Sequence, residues 1–187
     1  MKLKIAEVSD IDGILKLHNK YQIDSIKEED KKDGFVTTAF SQEELKNIIV
    51  QEQGIFIAIQ DDEVMGYVMS ASWQYWSKWP MFAFMIEELP KLEYLGQTLR
   101  IGNSYQYGPV CIDKRVRGTG LLEQLFDFAL ESMSQKYPIL VTFVNKVNVR
   151  SYEAHKRKLG LEVIQEFEYN NNQYYEFVYD TSKRVLN

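Results

Sequence analysis

The chain has 187 residues, 45% of them hydrophobic and 26% charged, with a formal net charge of −5. That is apolar material for one core, so residues 1–187 are read as a single domain, and the acidic balance argues against a nucleic-acid partner, whose phosphates call for clustered Lys and Arg. One cysteine, Cys111, excludes an internal disulfide, and with only His18 and His155 beside it the set is too small for a typical zinc site, so no metal is expected.

Lys2 to Val8 alternates as a short strand, and Ser9 with Asp12 reads as a capping box opening a helix whose apolar face is Ile11, Ile14, Leu15 and Leu17. Asp24 to Gly34 is a charged loop or polar helix end. Ser41 with Glu44 opens another helix, with Leu45, Ile48 and Ile49 inward. Gly54 to Gln60 and Glu63 to Ala71 form an antiparallel hairpin turning at Asp61-Asp62. Trp73 to Arg100 is an aromatic-rich insert holding Trp73, Trp76 and Trp79, helical around Phe82 to Leu89.

Ser104 to Ile112 is a strand and Lys114 to Gly120 a polar turn with glycines. Leu121 to Met133 is an amphipathic helix, with Leu122, Leu125, Phe126, Ala129, Leu130 and Met133 at helical spacing. Ile139 to Val144 is a buried-type strand, and Asn148 caps a last helix ending near Gly160. Glu162 to Tyr169 and Gln173 to Tyr179 close the chain as a hairpin around Asn170 to Asn172. This order implies one mixed α/β sheet covered by helices. No stretch approaches the roughly 18 apolar residues of a membrane span. Met1 to Ala6 holds no long apolar run, so a cytoplasmic protein without membrane partners is expected.

The chemistry concentrates in Tyr107 to Leu122. A strand runs into a turn with Gly118 and Gly120, and a helix begins at Leu121. A helix start offers unpaired N–H groups and a positive dipole end, and glycines let a phosphate approach the backbone. Arg115 and Arg117 add charge. No Gly-x-Ser-x-Gly elbow and no Gly-x-x-x-x-Gly-Lys loop occurs, and the third glycine and later acidic residue of a dinucleotide fold are missing.

These residues resemble the GNAT family of acetyltransferases. Arg115, Gly118 and Gly120 fit its pyrophosphate loop, Arg or Gln, two residues, Gly, one residue, Gly or Ala, after the apolar strand Val110-Cys111-Ile112. A second signature follows in Asn148, Ser151, His155 and Leu159-Gly160-Leu161, with Gly160 one residue later than usual and Leu161 in place of the common Phe.

The resemblance implies a mostly antiparallel sheet of about seven strands, splayed between the strand ending at Ile112 and the strand Ile139 to Val144. It implies acetyl-CoA in that opening and transfer of the acetyl group to a primary amine of a small molecule or peptide by direct attack. The backbone of Val110, Cys111 and Ile112 is expected on the pantetheine or thioester, and the amides of Arg117, Gly118, Thr119, Gly120, Leu121 and Leu122 on the pyrophosphate. Asn148 and Ser151 are expected as further cofactor contacts. His155 stands where relatives place the Tyr that protonates the leaving thiolate, with Tyr152 as competitor.

No single general base stands out. Tyr105 and Tyr107 share a strand face, and Glu87 and Glu88 could reach from the insert. Lys146, Arg150, Lys156, Arg157 and Lys158 are either a solvated helix face or a site for the 3′-phosphate of CoA. The aromatic segment is acceptor pocket, core, or a subunit contact that would make the protein a homodimer. The rival functional readings are an inactive acyl-CoA-binding module of the same fold and a phosphate-binding protein of another α/β fold.

Overall fold

The computed structural model describes residues 1–187. Its nine strands are β1 (Lys2–Ile5), β2 (Ile55–Gln60), β3 (Glu63–Ala71), β4 (Glu93–Tyr94), β5 (Gln97–Thr98), β6 (Ser104–Ile112), β7 (Ile139–Asn145), β8 (Glu162–Tyr169) and β9 (Asn172–Asp180). The helices are α1 (Ile11–Tyr21), α2 (Gln42–Asn47), α3 (Trp73–Trp76), α4 (Pro80–Glu88), α5 (Leu121–Met133) and α6 (Val149–Glu153), the last continued by a π-helical turn over Ala154–Lys158. Seven strands form one sheet in the order β1-β2-β3-β6-β7-β9-β8, antiparallel except for β6 with β7, and β4 pairs with β5 apart from it.

The strands bury both faces. On β2, Ile55 and Ile57 join the core under α1 and the aromatic segment, while Phe56 and Ala58 join the core under α5. This alternation is the period-two geometry of a pleated strand. Two apolar layers thus clamp the sheet, and no helix is long and apolar enough to cross a membrane.

Local chemistry explains most boundaries. Ser41 caps α2 in a reciprocal box with Glu44, and Asp61 and Asp62 take positive φ in the β2–β3 turn. The start of α1 differs from expectation. The reciprocal box pairs Glu7 with Asp10 around the short turn Val8–Asp10, and Ser9 sits inside that turn. Glu7 backbone N donates to Asp10 Oδ2 at 2.7 Å, which takes the role expected of Ser9 and Asp12.

The aromatic segment is mainly core. Trp73, Tyr75, Trp76 and Phe82 are buried, Trp73 Nε1 donates to Ser104 Oγ at 3.0 Å, and Phe40, Trp76, Trp79 and Phe82 pack edge to face and tilted. Only its Met81 and Phe82 reach the cavity described below.

Candidate active site

The parallel strands β6 and β7 pair only at Ser104–Ile139, Tyr105–Leu140 and Gln106–Val141, although both continue for several residues. Beyond that point they diverge. Against β3, the step from Val68 to Ser70 is matched by Val110 to Tyr107 on β6, so β6 carries an extra residue at Gly108-Pro109. A bulge of this kind re-aims a strand and ends its pairing. The Tyr107 carbonyl at this point accepts from Thr142 Oγ1 and from Gln106 Nε2, each at 2.7 Å.

Two cavities meet at the splay. The first, about 330 Å³, runs from Val110, Cys111 and Ile112 past Arg117, Gly118 and Gly120 to Leu121 and Leu122, and is flanked by Asn148 and Ser151. The second, about 440 Å³, lies over Gln106 to Val110 and Thr142 to Asn145. Val110, Asn148, Ser151, His155, Phe35 and Val36 belong to both.

The glycine turn is shaped for close approach. Gly118 (φ +77°) and Gly120 (φ +83°) are left-handed, which other residues adopt at a cost. A Cβ built on Gly118 would meet nothing within 4 Å, so its backbone borders open space. Gly120 is the N-cap of α5 and supplies no side-chain cap, leaving the first-turn N–H groups to an external acceptor. The turn is anchored by Asp113, whose carboxylate accepts from Arg115 N at 2.9 Å and from Lys20 Nζ at 3.0 Å. Burial opposes the Asp113 charge, but the hydrogen bonds from Arg115 and Lys20 hold its carboxyl well below the usual carboxylate range.

Two expected contacts turn away. The Arg115 guanidinium donates to Asp113 and to Glu63 at 3.0 Å and does not line the cavity, because two carboxylates claim it first. Thr119 also lies outside the lining, its Oγ1 donating to Val116 O at 2.7 Å inside the turn. Arg117 lines the cavity and acts as a tie. Its Nε donates to Ile112 O at 2.9 Å, its Nη1 to Asp33 O at 2.7 Å, and it stacks on Tyr21. That tie, with Asn148 Nδ2 donating to Phe35 O at 3.4 Å, holds the strap Asp33 to Val36 across the first cavity. Sequence reasoning missed the strap. The signal was Gly34-Phe35 directly after the charged run.

The basic cluster divides. Arg150, Arg157 and Lys158 line the first cavity, while Lys146 and Lys156 do not. Lys146 is paired with Glu166, and Arg157 with Glu153.

His155 is buried in the π-helical turn, against Phe177 and Tyr107. A π turn accommodates one extra residue in a helix, which is how Gly160 comes one position late while Leu159 and Leu161 stay buried. His155 Nδ1 lies 2.7 Å from Ser151 O. A carbonyl only accepts, so Nδ1 carries the hydrogen and Nε2 is an unprotonated acceptor. Burial lowers the His155 pKa, keeping the ring neutral. A neutral ring with this tautomer does not start as a proton donor, contrary to the acid role expected for it.

Tyr152 lines neither cavity and packs its ring on Tyr175 and Phe177. Tyr107 does line the second cavity, but its hydroxyl is fully buried without a partner, and burial pushes its pKa far up, so it is no base. Tyr105 is buried beside it on the same face of the sheet. Glu87 and Glu88 reach neither cavity. Burial pushes the Cys111 thiol up to about 12, so it is not a nucleophile at neutral pH.

Solved structures match this architecture end to end. A ribosomal-protein-alanine N-acetyltransferase from Brucella melitensis superposes with a TM-score of 0.62 at 15% identity, over 96% of this chain and 99% of its own. An N-acetyltransferase from Staphylococcus aureus Mu50 gives 0.61 at 16%, over 96% and 98%. The yncA protein of Salmonella typhimurium, solved with its cofactor acetyl-CoA, gives 0.63 at 12%, over 98% and 95%.

The fold is that of the GNAT acetyltransferases.

No protein-family model matches the sequence, and no curated protein matches it. The GNAT likeness is carried by three-dimensional structure, including the seven-stranded sheet and its helical layers.

Proposed function

We propose that the protein is an N-acetyltransferase that moves an acetyl group from acetyl-CoA to a primary amine by direct attack. The observation that carries this reading is the glycine turn at the start of α5, bordering open space and continuous with the gap between β6 and β7. The residues fit the donor. Backbone N–H groups of Gly118, Gly120, Leu121 and Leu122 would take the pyrophosphate, Val110 to Ile112 the pantetheine, and Arg150 and Lys158 the outlying phosphate charge. When bound, acetyl-CoA supplies an activated acetyl thioester.

His155 is suited to move the proton. It borders both cavities, and its Nε2 lone pair is free to accept from the attacking amine. The imidazolium so formed is disfavoured by burial and gives the proton up again on the donor side, which restores the resting tautomer. The expected acid is thus the second half of a shuttle. Cys111, held as a thiol, supports direct transfer over an acyl-enzyme.

Release of free thiol from acetyl-CoA across a panel of amines tests the proposal. Amine-dependent release supports it. Tight binding of acetyl-CoA without release with any amine would leave an acyl-CoA-binding module instead.

A further inference from the structure

The second cavity has a chemical character that the transferase reading alone does not require. In a chain with 27 Asp and Glu and 22 Lys and Arg, none of these residues lines it. Its walls are the aromatic rings of Phe35, Phe82, Phe143 and Tyr174, with Met81 and Val147 beside them. Phe143 packs edge to face on both Phe82 and Tyr174, at 5.7 Å between centroids in each case, which fixes a ring-lined slot. The polar residues present, among them Thr38, Gln106, Asn145 and Asn172, are uncharged.

We propose that this cavity takes a primary amine carried on an apolar, aromatic body with no second charge, an arylalkylamine in chemical class. The inference rests on the transferase reading. A polyamine would bring further ammonium groups into a cleft with no carboxylate to pair them, and an amino acid would bring a carboxylate with no cation to meet it; burying an unpaired charge is strongly unfavourable. A single amine escapes that cost by entering neutral, since desolvation without a counter-ion lowers an ammonium pKa. Neutral is also the form that attacks, and His155 Nε2 then needs to receive only the proton released on bond formation. An aromatic body meets the rings edge to face, the arrangement these side chains already adopt among themselves. The volume, about 440 Å³, lies within the range of small-molecule sites.

The test is kcat/KM with phenethylamine, spermidine, lysine and glutamate at fixed acetyl-CoA, with acetyl-CoA affinity measured separately by calorimetry. The expected result is phenethylamine preferred by about 100-fold or more, the scale on which a buried unpaired charge discriminates. If acetyl-CoA binds but spermidine, lysine or glutamate equals or exceeds phenethylamine, or none of the four is acetylated, the acceptor assignment falls and the donor site stands. If acetyl-CoA does not bind, the transferase reading falls and this inference with it. Val147→Glu provides an independent arm. Val147 is 73% exposed and lines only the second cavity, so the variant folds and keeps its acetyl-CoA affinity. Its carboxylate should raise the spermidine-to-phenethylamine ratio by about 2–5-fold at low salt, the scale of an exposed charge pair. An unchanged ratio overturns the charge argument.

Discussion

The two cavities that meet at His155 are built on opposite principles. The first cavity carries charge of both signs, with left-handed Gly118 and Gly120 at a helix start, Arg117, Arg150, Arg157 and Lys158 around it, and Asp33, Glu123 and Glu153 among them. The second cavity combines aromatic rings with uncharged polar groups, and no Asp, Glu, Lys or Arg lines it. On the proposed function, the difference matches what each would hold. A diphosphate is met by N–H groups and nearby cations, whereas an amine that must lose its proton is better met by a surface that gives an ammonium no partner. On the proposed function the proton-handling group sits at the boundary, where a neutral histidine faces a cavity with charged side chains on one side and one without them on the other.

The largest effect should come from putting charge into the donor side. Gly118→Asp should abolish measurable CoA binding, because its carboxylate projects into the open space beside the cradle. Gly118→Asn has nearly the same shape and tolerates positive φ equally, so it isolates charge from strain. It should keep a weakened affinity and a melting curve close to that of the Asp variant. Calorimetry with CoA on both proteins decides, and equal affinities in the two would remove the diphosphate from this turn.

His155→Ala tests the boundary. The expected loss is about 10²–10⁴-fold in kcat, the usual contribution of positioned proton transfer, with acetyl-CoA affinity nearly unchanged. Tyr152→Phe should change little, since that ring lines neither cavity. The pH profile carries a sign. Burial depresses the His155 pKa from 6.5, so the accepting form persists below that value and the acid limb of kcat should lie under pH 6.5. The same shift means that its contribution to stability is present above pH 6.5 and is lost as pH falls through the folded pKa. A limb above 6.5 would take His155 out of the proton path.

Much of the local structure around the first cavity was legible because its signals are local. The bounds of β6 and α5 follow from periodicity and the glycine turn, and Asn148 caps α6 through Ser151 N as its position suggested. What was not legible depends on partners far along the chain. The turn of Arg115 toward Glu63 spans 52 residues, and the tie from Arg117 to Asp33 spans 84, so neither has a local pattern. The acceptor cavity collects Phe35, Phe82, Phe143 and Tyr174 from separate elements, and only the folded sheet shows which aromatics face it. The small β4–β5 pair went unread because two residues per strand carry no period.

A smaller effect concerns the acceptor side of the sheet. Glu176 pairs in register with Phe143 and so shares its face, and it is fully buried with Oε1 unpartnered. Burial raises its pKa to about 7, helped by nearby Glu88 and opposed by the hydrogen bond from Gln165. Even this carboxyl is therefore uncharged through the acid range. A raised pKa gives stability that is complete below the unfolded value of 4.5 and is lost as pH rises through about 7. Glu176→Gln removes that dependence. Urea unfolding should find the two proteins close at pH 4.5 and the variant more stable by about 2–3 kcal/mol at pH 8.5. A parent that holds its stability relative to the variant up to pH 8.5 would mean that Glu176 ionises without cost where it lies.

The smallest expected effect separates the two ways in which the donor side is positive. Arg150 and Lys158 are exposed and line the cavity, and neither forms an ion pair within the protein, unlike Arg157 with Glu153. Exposed charges of this kind contribute about 0.2–1 kcal/mol each and are screened by salt. Replacing both with Ala should therefore weaken CoA binding by only about 2–30-fold in low salt, and the difference from the parent should shrink as salt approaches 1 M, where the screening length is about 3 Å. The glycine cradle acts through short hydrogen bonds from backbone N–H groups, so what it contributes should survive the same salt. Measuring CoA affinity for the parent and the double variant across that range resolves a screened part, from the side chains, and an unscreened part, from the helix start. A difference that persists undiminished at high salt would show that Arg150 or Lys158 makes a desolvated contact with the cofactor. The division of labour between backbone and side chain on the donor side would then have to be redrawn.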